Sequence, residues 1–129
     1  MIVLDTHVWL WWTAAPERLT AAARKTIEAA EGIGVSTMSC LEVVGLATRG
    51  RITLQLDPAT WIRRALAHPR VDSLAPDAAI AVRAGMLPRE QFPGDPIDRL
   101  IFATAVDLGR RLVTRDRELR RFDPARTIW

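Results

Sequence analysis

Ile2-Val3-Leu4-Asp5-Thr6-His7-Val8-Trp9-Leu10-Trp11 opens the chain and sets the architecture expected of the rest. Its first three residues are apolar with no polar alternation, the pattern of a strand covered on both faces, as in a parallel sheet. Asp5 closes that run and carries the only formal side-chain charge ahead of Glu17. Val8 to Ala14 then reads as a helix that Pro16 ends. A buried strand feeding straight into a helix is the opening of a βαβ unit.

Working outward, the same alternation repeats. Thr20 through Glu31 is Ala-rich and helical, with Gly32 as its stop, and Ile33 to Ser36 is a second apolar run followed by a helix over Met38 to Arg49 that Gly50 closes. Asp57-Pro58 is an N-cap followed by an N1 proline and opens a helix towards Ala67, which Pro69 stops. Val71 to Leu74 is a third strand, and a helix from Pro76-Asp77 ends before Pro88. After an irregular Pro88 to Gly94 loop, Asp95-Pro96 repeats the capping signal ahead of Ile97, Leu100, Ile101, Ala105 and Leu108, with Gly109 beyond. Leu112 to Thr114 is a fourth strand, Arg117 to Arg121 a short helix, and Thr127 to Trp129 a final edge strand. The expected architecture is α/β, a three-layer α/β/α sandwich on a short parallel sheet, with residues 1–129 forming a single domain.

Composition narrows the functional classes. A chain of 129 residues buries enough surface to fold without staples, and the lone Cys40 forms neither an intramolecular disulfide nor a cysteine zinc cluster, which fits a cytoplasmic protein with Cys40 as a small core residue. No apolar run approaches the ~20 residues of a membrane span, and no basic segment precedes Ile2, so membrane insertion and secretion are not expected. The formal charge is +3, and every basic residue except Lys25 is Arg. Arg favours planar bidentate contact with phosphate or carboxylate, which suits a polyanionic partner; genome base composition accounts for it equally well.

Four carboxylates stand apart: Asp5 after the first strand, Glu42 within the helix after the second, Asp98 in the first turn of the helix opened by Asp95-Pro96, and Asp116 just after the strand Leu112 to Thr114. In a parallel sheet these positions gather at the carboxyl edge, where α/β proteins bind ligands. Carboxylates crowded into a cleft drive one another towards the neutral form unless a cation compensates. An all-oxygen donor set selects Mg²⁺ or Mn²⁺ over zinc, and with many arginines it suggests phosphodiester hydrolysis without a protein nucleophile. Taken singly, Asp5 and Asp116 are helix caps and Asp98 complements a helix dipole. Glu42, flanked by Leu41 and Val43, has no capping role.

Four segments carry a resemblance in order along the chain: the opening residues quoted above, Ser36-Thr37-Met38-Ser39-Cys40-Leu41-Glu42-Val43, Gly94-Asp95-Pro96-Ile97-Asp98-Arg99-Leu100-Ile101-Phe102-Ala103-Thr104-Ala105, and Leu112-Val113-Thr114-Arg115-Asp116. Together they resemble a PIN domain and, more narrowly, the VapC toxins of bacterial type II toxin–antitoxin modules. The resemblance implies a Mg²⁺- or Mn²⁺-dependent endoribonuclease that cuts RNA, is silenced by a cognate VapB-type antitoxin, and forms a homodimer. It carries the catalytic, metal-binding set onto Asp5, Glu42, Asp98 and Asp116. Thr6 and Thr114 then fall at the hydroxylated positions beside the first and last acids, and Arg99 matches the Arg that follows the third acid, a substrate-orienting or supporting position. Asp95 competes with Asp98 for the third ligand position and is read as cap or support. Two rival readings are a PIN-like regulatory binding module without catalysis and a nuclease acting mainly on DNA.

Other residues carry two readings each. His7 is a substrate contact or a structural residue. Trp9, Trp11 and Trp12 are a base-stacking platform or, as helical spacing favours, core and subunit interface. Arg110, Arg111, Arg115, Arg117, Arg120, Arg121 and Arg126 form an RNA-binding patch or a solvated helix face. The loop Pro88 to Gly94 is expected to gate the acidic site.

Overall fold

A computed structural model describes residues 1–92 and 94–129. Five strands, β1 (Ile2–Leu4), β2 (Ile33–Ser36), β3 (Val71–Leu74), β4 (Leu112–Val113) and β5 (Thr127–Ile128), form one sheet in the order β3-β2-β1-β4-β5, every pair parallel. Seven α-helices connect them: α1 (Thr6–Ala14), α2 (Ala21–Ala29), α3 (Thr37–Thr48), α4 (Pro58–Leu66), α5 (Ala78–Met86), α6 (Pro96–Asp107) and α7 (Arg117–Phe122). From β1 the chain winds outward through β2 to β3. It then crosses back to lay β4 against the free side of β1. The winding therefore reverses between β1 and β4, and a doubly wound sheet opens a crevice at the carboxyl ends of two such strands.

Alternation along β1 divides the core in two. Leu4 packs with Val8, Trp9, Ile27, Val35 and Val43, under a layer supplied by α1 to α4. Val3 points the other way, against Phe92, Ile101, Phe102, Leu112 and Leu119 beneath α6 and α7, while Ile80 and Ala84 of α5 close over Ala103 of α6. This is the expected three-layer sandwich. Half-buried Cys40 packs against the first cluster as a small apolar residue. No helix among the described residues is long and apolar enough to cross a membrane.

The element limits shift where side chains cap the helices. Helix α1 starts at Thr6, two residues ahead of the expected Val8, because Asp5 Oδ1 accepts from Thr6 N at 2.8 Å. Ser36, the last residue of β2, likewise caps α3 by accepting from Met38 N at 3.2 Å, so strand passes to helix with no loop. Helix α2 ends at Ala29 rather than Glu31. The Arg70 guanidinium stops it by donating to the carbonyls of Ile27 and Ala30 at 3.0 and 2.6 Å, taking the part foreseen for Gly32. An unforeseen 3-10 turn, Pro16–Arg18, links α1 to α2. On β2, Gly34 leaves room for the Leu74 side chain of β3: a Cβ there would lie 2.6 Å from Leu74 Cδ1.

Candidate metal centre

The β1–β4 crevice holds a cavity of about 700 Å³ lined by Asp5, His7, Glu42, Asp98 and Asp116. Asp5 leaves the end of β1 and Asp116 follows β4. Glu42 reaches the cavity from the second turn of α3 and Asp98 from the first turn of α6. The structure thus brings together all four acids singled out in the sequence. Asp95 joins them, since one carboxylate oxygen from each of Glu42, Asp95 and Asp98 lie within 4.8 Å of one another. Asp95 also keeps the capping role foreseen for it, with Oδ1 accepting from Asp98 N at 2.9 Å. Capping and clustering are therefore compatible. A helix N-terminus aims backbone N–H groups at one carboxylate oxygen and leaves the other to face the cleft.

Hydroxyls set the orientation of these carboxylates. Thr114 Oγ1 donates to Asp5 Oδ2 at 2.6 Å and accepts from Asp116 N at 3.0 Å, so a single side chain registers the first and last acids against each other. Asp116 Oδ1 accepts from Glu118 N and Leu119 N at 2.8 and 3.1 Å. Thr6 Oγ1 donates to Ser39 Oγ at 2.9 Å beneath the cluster. Ser39 was not foreseen, although it lies three residues before Glu42 and so on the same side of α3.

Electrostatically the carboxylates of the site oppose one another. Asp98 is pushed up to about 8, first by burial and then by Asp5, Asp95, Glu42 and Asp116. Burial also raises Asp5, against the opposing hydrogen bonds of Thr114 and the Thr6 amide. Glu42 is raised by burial, opposed by the Thr6 hydroxyl beside it, with Asp5 and Asp95 adding to the rise. Glu42 Oε1 is buried with no hydrogen-bond partner. A carboxylate with one orphaned oxygen, clustered with those of Asp95 and Asp98 in an all-oxygen trio, fits a hard divalent cation.

Thr114→Val is expected to leave the fold in place while weakening Mn²⁺ binding by about 10- to 100-fold, because Asp5 loses the bond that orients it. Isothermal titration with Mn²⁺, beside a thermal melt, checks this.

One expectation needs correction. Arg99 does not reach the cavity as a substrate-orienting group. It is buried, and its guanidinium donates to the carbonyls of Ala84 (3.1 Å), Phe92 (2.7 Å) and Leu87, tying α5 and the segment after it to α6. Helical rotation explains this, since a residue next to Asp98 points about 100° away from it. The loop Pro88 to Gly94, expected to act as a gate, is anchored at Phe92, whereas Pro88, Arg89, Glu90 and Gln91 are exposed. Phe92 is 2% exposed and packs on Phe102 and Phe122, with the Arg99 guanidinium 5.6 Å over its ring. Pro93, the second loop proline, lies outside the described residues.

The arginine crowd divides. Arg115, Arg117 and Arg120 line the acidic cavity. Arg111 and Arg126 instead donate to the carbonyls of Thr127 and Arg110 at the opposite edge of the sheet, where β4 and β5 begin. The tryptophans follow the core reading: Trp9 is fully buried edge-on to Trp61 at 5.2 Å, and Trp11 is 7% exposed and 5.9 Å from Trp129.

Comparison with known proteins agrees with this geometry. The PIN domain family matches residues 2–124. The chain is 42% identical over 130 residues to ribonuclease VapC22 of Mycobacterium tuberculosis, covering 99% of this chain and 98% of that one. Among solved structures, the chain is similar to VapBC2 from Rickettsia felis bound to a promoter DNA fragment (TM-score 0.70, 16% identity, 98% and 97% of the two chains). It is also similar to DNA-bound VapBC from Salmonella typhimurium (TM-score 0.68, 21% identity, 98% and 97%).

Proposed function

The chain belongs to the PIN domain family, and from that premise we propose that it is a divalent-metal-dependent endoribonuclease acting as the toxin of a type II toxin–antitoxin module. The observation that carries the reading is the convergence of Asp5, Glu42, Asp98 and Asp116 on one cavity in which Glu42 Oε1 is buried without a partner. Asp5, Glu42, Asp98 and Asp116 would hold the ion, with Asp95 in reach beside Glu42 and Asp98. Bound there, Mg²⁺ or Mn²⁺ supplies the compensating charge, lowers the pKa of a water and polarises the phosphodiester. Thr114 and the Thr6 amide hold Asp5 in a single orientation, and Thr114 ties it to Asp116. Arg115, Arg117 and Arg120 on the same cavity wall are placed to meet phosphate oxygens. Phosphodiester hydrolysis then needs no nucleophile from the protein.

The resemblance to VapC22 supports RNA as substrate, and the likeness to VapBC complexes supports a VapB-type antitoxin as the silencing partner. The protein works as a single domain in the cytoplasm. Val82 and Met86, one turn apart on α5 and both largely exposed, support a homodimer.

The test is cleavage of single-stranded RNA by the purified protein, followed on denaturing gels with single-stranded and duplex DNA alongside. RNA cleavage that EDTA stops and Mg²⁺ or Mn²⁺ restores is the expected result. Cleavage confined to DNA would make the chain a DNA nuclease. Cleavage of neither substrate, by metal-loaded protein, would leave a binding module.

A further inference from the structure

A second groove, of about 750 Å³, opens beside the acidic cavity and shares His7, Arg115 and Trp129 with it. One wall is the outer side of α1 with Arg18 beyond it, and the other is the segment Arg51 to Leu54 after α3. Its chemistry is opposite to that of the cavity. No Asp or Glu lines it, whereas Arg18, Arg51 and Arg115 all do, each exposed and none paired with a carboxylate among the described residues.

The floor of the groove is aromatic. The His7 ring lies 5.8 Å from Trp11, and Trp11 lies 5.9 Å from Trp129, forming a continuous row. Trp11 is buried, so the half-buried His7 and Trp129 provide the accessible faces. The Arg115 and Arg18 guanidinium carbons sit over the Trp11 ring at 4.8 and 5.5 Å, which keeps both cations at the groove.

We propose that this groove is the path of the RNA strand leaving the cleavage site: Arg18, Arg51 and Arg115 take successive phosphates, and His7 and Trp129 stack the unpaired bases. The proposal rests on the nuclease reading above and deepens it. A strand whose scissile phosphate lies among five carboxylates meets repulsion on most sides. The neighbouring phosphates are drawn instead to this adjoining channel, whose charged lining among the described residues is all positive. Aromatic faces beside those cations select single-stranded over duplex RNA, because paired bases are already stacked within the helix. An acidic peptide would satisfy the arginines but would leave the aromatic row and its continuity with the carboxylates unexplained.

The experiment compares wild type, the double variant R18E/R51E, and Trp129→Ala. Binding of a labelled single-stranded RNA to protein in EDTA is read by anisotropy across a salt series. Cleavage with Mn²⁺ is read on a short RNA and on one several nucleotides longer. For R18E/R51E, the slope of log affinity against log salt is expected to fall by roughly 1.4, the share of two phosphate contacts to a single strand. Its KM on the longer RNA rises about tenfold with kcat nearly unchanged, which is the signature of lost uniform binding. The short RNA is cleaved as by wild type. Trp129→Ala weakens affinity by about tenfold without changing the salt slope. Unchanged affinity and slope in R18E/R51E would overturn the proposal. If wild type binds RNA in this groove-dependent way yet never cleaves it, the nuclease reading fails and the groove assignment stands.

Discussion

Asp98→Asn is expected to lower RNA cleavage by about 10²- to 10³-fold or more and, at the same time, to make the metal-free protein more stable. The two effects share one cause. In the folded protein Asp98 is pushed up from the ordinary aspartate value of 3.8 to about 8 by burial and by Asp5, Asp95, Glu42 and Asp116. A carboxyl whose folded pKa lies above its unfolded pKa adds its stability in the protonated form. That contribution is complete below the unfolded value and is lost as pH rises through the folded one. Metal-free wild type should therefore lose stability between about pH 4 and pH 8, and the raised Asp5 and Glu42 act in the same direction. Asn carries no charge, so the variant should be the more stable by about 1–2 kcal/mol near pH 8, or a melting temperature higher by roughly 3–8 °C. Saturating Mn²⁺ should reverse the order, because only wild type gains the free energy of binding. Melting curves in EDTA and in Mn²⁺, at pH 5.5 and pH 8, check all of this. A metal-free Asp98→Asn protein less stable than wild type at pH 8 would mean that the acids are not in conflict.

Arg99→Met should do the reverse, costing stability rather than chemistry. Its guanidinium serves the Ala84, Leu87 and Phe92 carbonyls from inside the protein, and methionine leaves all three without a donor. Charge-assisted hydrogen bonds contribute about 1.5–3 kcal/mol each and are not additive, so a loss of about 3–5 kcal/mol is expected. In urea this is a clear fall in the unfolding midpoint, while cleavage per folded molecule stays close to that of wild type. Arg99→Lys should recover only part of the loss, since one ammonium cannot span three carbonyls held in a planar fork. A variant of normal stability with no cleavage would return Arg99 to the reaction.

These two residues show what could be read from the sequence. Asp98 was legible because Asp95-Pro96 marks a helix start, and the four strand-and-helix junctions of a parallel sheet must lie along one edge. Local capping signals and one topological rule therefore suffice to place the acids. Arg99 was given a substrate-orienting or supporting place by the resemblance alone, and the carbonyls it serves lie up to fifteen residues earlier and leave no mark near it. Arg70 at the end of α2 was missed for the same reason, its partners being about forty residues away. The groove of Arg18, Arg51 and Arg115 is assembled from three separate connections, so no window along the chain contains it. Helix α1 begins earlier than expected because Asp5 caps it with Oδ1, while Oδ2 accepts the Thr114 hydroxyl.

The bond from Thr114 to Asp5 spans 109 positions. Closing a loop of that length is entropically slow, so the contact forms only once nearly the whole polypeptide can collapse together. On the ribosome, a nascent chain that has not yet released β4 has an exposed flank on β1 and no hydroxyl to steady its first carboxylate. The carboxylate cluster is therefore completed only late in the chain's own synthesis, and the activity proposed for it begins only after β4 has docked on β1.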